Sequence, residues 1–442
     1  LNPFISVFSI KKMPVKVQSG FARRPTQEES GLFGIKITAS EPIQKNIHIA
    51  LLIDTSGSME GERMTSVKRT LGVLLNRLNV GDTITVVGFS SREKIVLDSV
   101  RVTTDNIAIM LSEIDKLSAD NGTNLEAGIA GLGKLLKEDT VLNALVVLTD
   151  GHINEGITSV AGLYSLIKSY VKSVPVYTLG YGTDHNADLL KTISSRTRAN
   201  YTFIQDEIVL PISMGDMLGA LQTEVASDAS ITYDSKWVCV EPLAEMRTEY
   251  HLGSLIADKA MWVVFLVPFG QEAADFTLKY KDVVNNTLCS SPQENEVSAM
   301  EIEEQYVRCI TGTALNKISD TMRRNRLEEA KELITSGISA ITKSPAADRP
   351  LVIHMKAQLD ETLEEVNKAL ARHRLPRSPA LLTPPALLNR ITSLGGNYSA
   401  QRGVTQMANG QTPSLFSSPS QEQERNEMTA QYSLGAGDPA VP

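Results

Sequence analysis

Five oxygen-bearing side chains carry the chemistry this sequence offers: Asp54, Ser56, Ser58, Thr123 and Asp150. Asp54 closes a strand-length apolar run that begins at Ile47, and Ser56 and Ser58 follow at alternate positions around Gly57. Thr123 sits in the loop Asn121-Gly122-Thr123-Asn124, and Asp150 follows a second apolar stretch over 143–148. Carboxylates and hydroxyls are hard donors, suited to Mg²⁺ or Mn²⁺ and poorly suited to a soft metal. Mg²⁺ prefers near-octahedral geometry and keeps several waters, so only some of the five would ligate directly and the rest would act through water. A position left open would take a carboxylate from a partner, and the N-terminus of a following helix would favour that anion.

For these residues to meet, they must stand at one end of one sheet. From 46 to 226 the pattern alternates strand and helix, which calls for a parallel sheet covered by helices. Runs at 47–53, 83–89, 143–148 and 174–179 read as strands, and 94–102 as an exposed strand or hairpin. Between them, Met64, Val67, Leu71, Leu74, Leu75 and Leu78 share one face of a helix. Further helices are expected over 104–117, 125–137, 158–171, 187–195 and 210–225. Parallel sheets place their sites at the carboxyl ends of strands, where Asp54 and Asp150 stand.

The flanks differ. Residues 1–45 hold two or three short strand patterns, including 4–10, with a polar loop at 23–30; residues 227–292 show period-two alternation between turns. Together they predict one antiparallel β-sandwich built from both sides of the central unit. Residues 293–374 read as a helical hairpin or bundle, with one long helix over 297–341 and another over 350–372. Residues 375–442 are rich in Pro, Ser, Gln, Gly and Asn and, apart from short islands such as 386–394, read as an irregular tail.

Composition narrows the functional classes. A chain of 442 residues is long enough for two or three units. A formal net charge of -8 argues against general affinity for nucleic acid or an anionic membrane. Cys239, Cys289 and Cys309 are odd in number and have no metal-site spacing, as expected of inert thiols in a reducing compartment. No membrane-length apolar stretch occurs, and residues 1–10 lack a basic segment before an apolar core, so a cytoplasmic protein is expected.

The motif Asp54-Thr55-Ser56-Gly57-Ser58-Met59, with Thr123 in its Asn-Gly-Thr-Asn loop and with Thr149-Asp150-Gly151, resembles the von Willebrand factor A domain and its metal-ion-dependent adhesion site. The resemblance covers 47–226. It implies a Rossmann-like, doubly wound, mostly parallel α/β sheet, flanked here by the β-sandwich and the C-terminal helical segment. It also implies Ser56, Ser58 and Thr123 as direct ligands of Mg²⁺ or Mn²⁺, with Asp54 and Asp150 as outer carboxylates. The wider layout is similar to intracellular A-domain proteins, some of which are ubiquitin ligases; the cysteines of a RING are missing here, so ligase activity is not carried over.

Three functions follow. One is a metal-dependent protein-binding module that takes an Asp or Glu of a protein partner on the cation. Another is a structural subunit of a coat, shell or other assembly, in which the metal only stiffens the sheet. The weakest is a metal-assisted hydrolase, because no Ser-His-Asp order, paired-Asp nucleophile motif or phosphate-cradling loop accompanies the site. A serine on such a turn can also be a plain helix cap; Thr123 and Asp150 in register are what favour the cation. Asn121, Asn124, His152 and Asn154, with Glu155 and Asp184, border the same loops as a candidate partner-binding rim, although each is by type an ordinary loop residue.

Overall fold

The computed structural model describes residues 15–22, 30–40, 45–137, 140–171, 174–183, 185–241, 248–268, 276–283, 288–290, 293–373, 385–400 and 418–434. The strand expected at 4–10 and the rim candidate Asp184 lie outside them. Two antiparallel strands come first, β1 (Val15–Ala22) and β2 (Ser30–Ala39), and the chain then enters the central unit.

That unit is a six-stranded sheet built from β3 (His48–Asp54), β4 (Thr83–Phe89), β5 (Glu93–Arg101), β6 (Ala144–Thr149), β7 (Val176–Tyr181) and β8 (Tyr201–Ile204). Their spatial order is β5-β4-β3-β6-β7-β8, and every pairing is parallel except β4 with β5. The connecting helices are α1 (Glu62–Arg77), α2 (Ile107–Asp115), α3 (Leu125–Leu135), α4 (Val160–Val171), α5 (Ala187–Arg196) and α6 (Val209–Gln222). All of β3 is buried. Ile49, Leu51 and Ile53 face one apolar core with α1 and α6, while Ala50 and Leu52 face the other with α3, α4 and α5. A side chain buried to this degree stabilises by roughly 1.5–3 kcal/mol, so the unbroken apolar run is what puts β3 in the middle. From β3 the chain goes first to β4 on one side and later to β6 on the other. The sheet therefore reverses direction at β3 and β6, and a crevice opens beyond their carboxyl ends.

Next come β9 (Glu224–Tyr233), β10 (Val238–Cys239), β11 (Glu249–Ile256), β12 (Ala260–Pro268), β13 (Phe276–Asp282), β14 (Leu288–Ser290) and β15 (Gln293–Glu296). They form two sheets, β10-β12-β2-β1-β15 and β11-β9-β13-β14. Because β2 lies between β1 and β12, both flanks of the central unit share one sandwich, closed around Phe33, Trp237 and Phe265. Three helices follow, α7 (Ala299–Arg323), α8 (Leu327–Thr342) and α9 (Pro350–His373), with a common apolar core that includes Ile318, Ile334 and Val352. Helix α7 lies so close to β2 that a Cβ at Gly34 would fall 2.7 Å from the Ile302 side chain.

Three expectations need correction. The helix read over 297–341 is broken at Asn325, whose φ of 59° turns the chain without a Gly or Pro, since Asn tolerates the left-handed region. The helix read over 104–117 is the shorter α2. The tail read as irregular contains α10 (Pro385–Ala400) and α11 (Pro419–Leu434). Tertiary docking overrides composition there: Ile391 and Tyr398 of α10 enter the helical core, and Met428 and Tyr432 of α11 enter the core beneath α1 and α6.

Candidate metal site

Ser56 and Ser58 stand on the short turn between β3 and α1, and their Oγ atoms are 3.0 Å apart. Asp54, at the end of β3, is fully buried, with both carboxylate oxygens committed. One accepts the Ser56 backbone N–H at 2.8 Å, and the other accepts the Thr149 hydroxyl. Burial raises the Asp54 carboxyl above the ordinary range, with the charge of Asp150 adding to the effect, while the hydrogen bonds from Thr149 and Ser56 act against it. Asp150, one residue past β6, accepts the Ser58 hydroxyl on Oδ1 at 2.7 Å, with the Ser56 hydroxyl at 3.5 Å from the same oxygen.

Thr123 arrives from the loop before α3. Its backbone N–H donates to Asn154 Oδ1 at 2.9 Å, and its carbonyl accepts the backbone N–H groups of Asn154 and Glu155. A Cβ at Gly151 would stand 3.9 Å from both Thr123 Oγ1 and Ser58 Oγ, so three hydroxyls and two acids converge at the crevice between β3 and β6.

The proposed rim residues divide. Asn121 and His152 are exposed on the loops around the crevice. Asn154, also exposed, holds the Thr123 backbone. Asn124 caps α3, its Oδ1 accepting the Ala127 N–H at 3.0 Å. Two neighbours of the site gain a role only from the structure: Thr149, quoted in the motif without one, and Arg63, outside the motif. Thr149 orients Asp54. Arg63, on the first turn of α1, pairs with Asp150 Oδ2 and reaches the Ser58 carbonyl oxygen at 3.3 Å. A cation on the first turn of a helix opposes the macrodipole, and that misfit was the available signal for Arg63.

The donor set fits a small divalent cation. Oxygens held about 2.1 Å from Mg²⁺ at adjacent octahedral positions stand roughly 3 Å apart, which matches the Ser56–Ser58 separation of 3.0 Å. The Ser58 proton points to Asp150, which leaves its oxygen lone pairs available. Ser56, Ser58 and Thr123 could hold the ion, with the two aspartates behind them. Among the described residues no cluster of three or more His, Cys, Asp and Glu offers a rival site.

Residues 48–211 match the model of the von Willebrand factor type A domain, and the protein carries such a domain. The fold agrees: a von Willebrand factor type A protein from Catenulispora acidiphila superposes with a TM-score of 0.62 at 16% identity, covering 87% of this chain and 96% of that one. The ArnB paralog VWA2 from Sulfolobus acidocaldarius does so with a TM-score of 0.54 at 16% identity, over 87% and 98%. Among curated relatives, the uncharacterized protein YfbK of Escherichia coli K12 is 27% identical over 72% of this chain and 60% of its own length. Inter-alpha-trypsin inhibitor heavy chain H1 of Sus scrofa is 29% identical over 31% of this chain and 16% of its own. The chain thus spans less than two thirds of the length of these curated relatives. Domains of this family generally mediate protein–protein interaction, often through a divalent metal. No described helix is long and apolar enough to cross a membrane.

Proposed function

We propose that this protein is a metal-dependent protein-binding module. Ser56, Ser58 and Thr123 hold Mg²⁺ or Mn²⁺ directly, Asp54 and Asp150 act on it from behind through water, and an Asp or Glu of a partner protein completes the coordination. When bound, the cation supplies a Lewis-acidic site for one carboxylate oxygen. The observation that carries this reading is the state of the two acids. Both oxygens of Asp54 are bound to protein donors and those of Asp150 meet Ser58 and Arg63, as outer carboxylates would, while the two serine hydroxyls stand at octahedral spacing. The one hydroxyl–carboxylate pair, Ser58 with Asp150, has its acid tied to Arg63 as well, and no imidazole is bonded to either serine among the described residues, which favours binding over turnover.

The test is capture of partners from native extract by the wild-type chain and by Asp54→Ala and Ser56→Ala, each in Mg²⁺ and in chelator. Partners retained only by wild type in Mg²⁺ are the expected result. Partners retained equally in all samples would reject the adhesive role and leave the domain as a subunit of a stable assembly.

A further inference from the structure

We infer that Arg63 divides the affinity of the site between cation and anion, and that its charge makes the metal-loaded site demand an acidic partner. This rests on the metal-binding reading above and adds a residue to it that the five-residue motif does not contain. Arg63 is built into the site from four directions. Its guanidinium pairs with Asp150 Oδ2, and Nη1 lies 3.3 Å from the Ser58 carbonyl oxygen. Its Cζ is 5.8 Å from the centre of the Tyr181 ring, within cation–π range. At Gly182, where φ is +69°, a Cβ would come within 3.1 Å of Nη2, so the end of β7 closes on the guanidinium. The Arg63 side chain is one-third exposed, and the Asp150 side chain that it meets is fully buried.

This placement splits Asp150 between two tasks. Oδ1 faces the serine hydroxyls, and Oδ2 faces Arg63. It also sets the charge of the site. Two carboxylates and one guanidinium leave a single negative charge, and a divalent cation turns that into a single positive charge. One carboxylate from a partner then closes the balance. Without Arg63 the two acids alone would neutralise the metal, and the loaded site would hold no excess charge to attract an anion. Metal affinity would rise and carboxylate affinity would fall. A unit charge several Å away in a partly exposed site changes an affinity by on the order of tenfold.

The opposite expectation belongs to a merely structural Arg63. If it served only to orient Asp150, its loss would loosen the site and weaken the metal. The sign of the change therefore decides. The experiment titrates MnCl₂ by calorimetry into chelator-stripped wild type, Arg63→Gln and Arg63→Lys at fixed ionic strength. Acetate is then titrated against each Mn²⁺-loaded protein, read by the relaxation of water protons on the bound ion. Arg63→Gln should bind Mn²⁺ about tenfold more tightly and acetate about tenfold more weakly, with Arg63→Lys near wild type in both. Mn²⁺ binding that is unchanged or weaker in Arg63→Gln, while wild type still binds, overturns this inference alone. Wild type that binds no Mn²⁺ overturns the reading of the site and this inference with it.

Discussion

Asp54 is a buried anion with no cationic side chain bonded to it; its described partners are the Thr149 hydroxyl and the Ser56 N–H. Such a group opposes folding until a cation arrives, and a domain that keeps it does so for function. Asp54→Asn, similar in shape, should therefore raise the unfolding midpoint in chelator, by on the order of 1 kcal/mol or a few degrees. On the proposed function Mg²⁺ should raise the midpoint of wild type further, and the same variant should lose that rise. Differential scanning with EDTA and with MgCl₂ measures both, and a variant less stable than wild type in EDTA would contradict the argument. Residues of this kind are legible in sequence because each acid follows an apolar run, where a parallel strand must end. Arg63 is not legible that way: its partner Asp150 is 87 positions away in sequence, and only the pairing of β3 with β6 brings them together.

Strand β3 opens with His48, whose Nε2 lies 2.8 Å from the Thr85 hydroxyl on β4. Burial lowers the imidazole below its ordinary value of 6.5, and His354 on α9 is lowered for the same reason. The folded chain then binds fewer protons than the unfolded chain just below that value. The stabilisation is complete above about pH 6.5 and is lost as the pH falls through the folded-state values. Urea unfolding from pH 7 down to pH 5 should show a falling midpoint, and His48→Gln should flatten the fall. An unchanged slope in the variant would assign the acid sensitivity elsewhere. At this scale most strands and helices of 46–226 can be read from hydrophobic period, since each buries a defined face; β5, with Leu97 alone buried, and α6, buried on nearly every side, are the exceptions. The break between α7 and α8 cannot, because a single Asn in the left-handed region leaves the helical period on both sides intact.

The tail shows why composition misleads for a whole molecule. Helix α11 is polar by sequence, yet it fills the groove between α1 and α6, the first and last helices of the A domain. Arg77 of α1 binds Glu424 at 2.7 Å and 2.9 Å, and Tyr432 meets Ser66 of α1 at 2.9 Å and Glu207, just before α6, at 3.1 Å. The close approach depends on two glycines of α6: a Cβ at Gly219 would fall 2.6 Å from Gln421 Cα, and one at Gly215 would fall 2.6 Å from Arg425 Cα. These are backbone atoms of α11, so no rotamer change relieves the overlap. Neither glycine signals this contact in sequence, because the partner lies about two hundred positions further on. Gly219→Ala isolates the contact, since alanine favours a helix interior over glycine by about 1 kcal/mol and α6 alone would gain stability. A net loss must then come from displaced α11. Hydrogen exchange followed by mass spectrometry should show amides of 419–434 losing protection in Gly219→Ala and in Gly215→Ala, while β3 and β6 keep theirs. Protection retained across α11 together with a rise in stability would mean that the groove accommodates a methyl group and that the glycines do not set the docking.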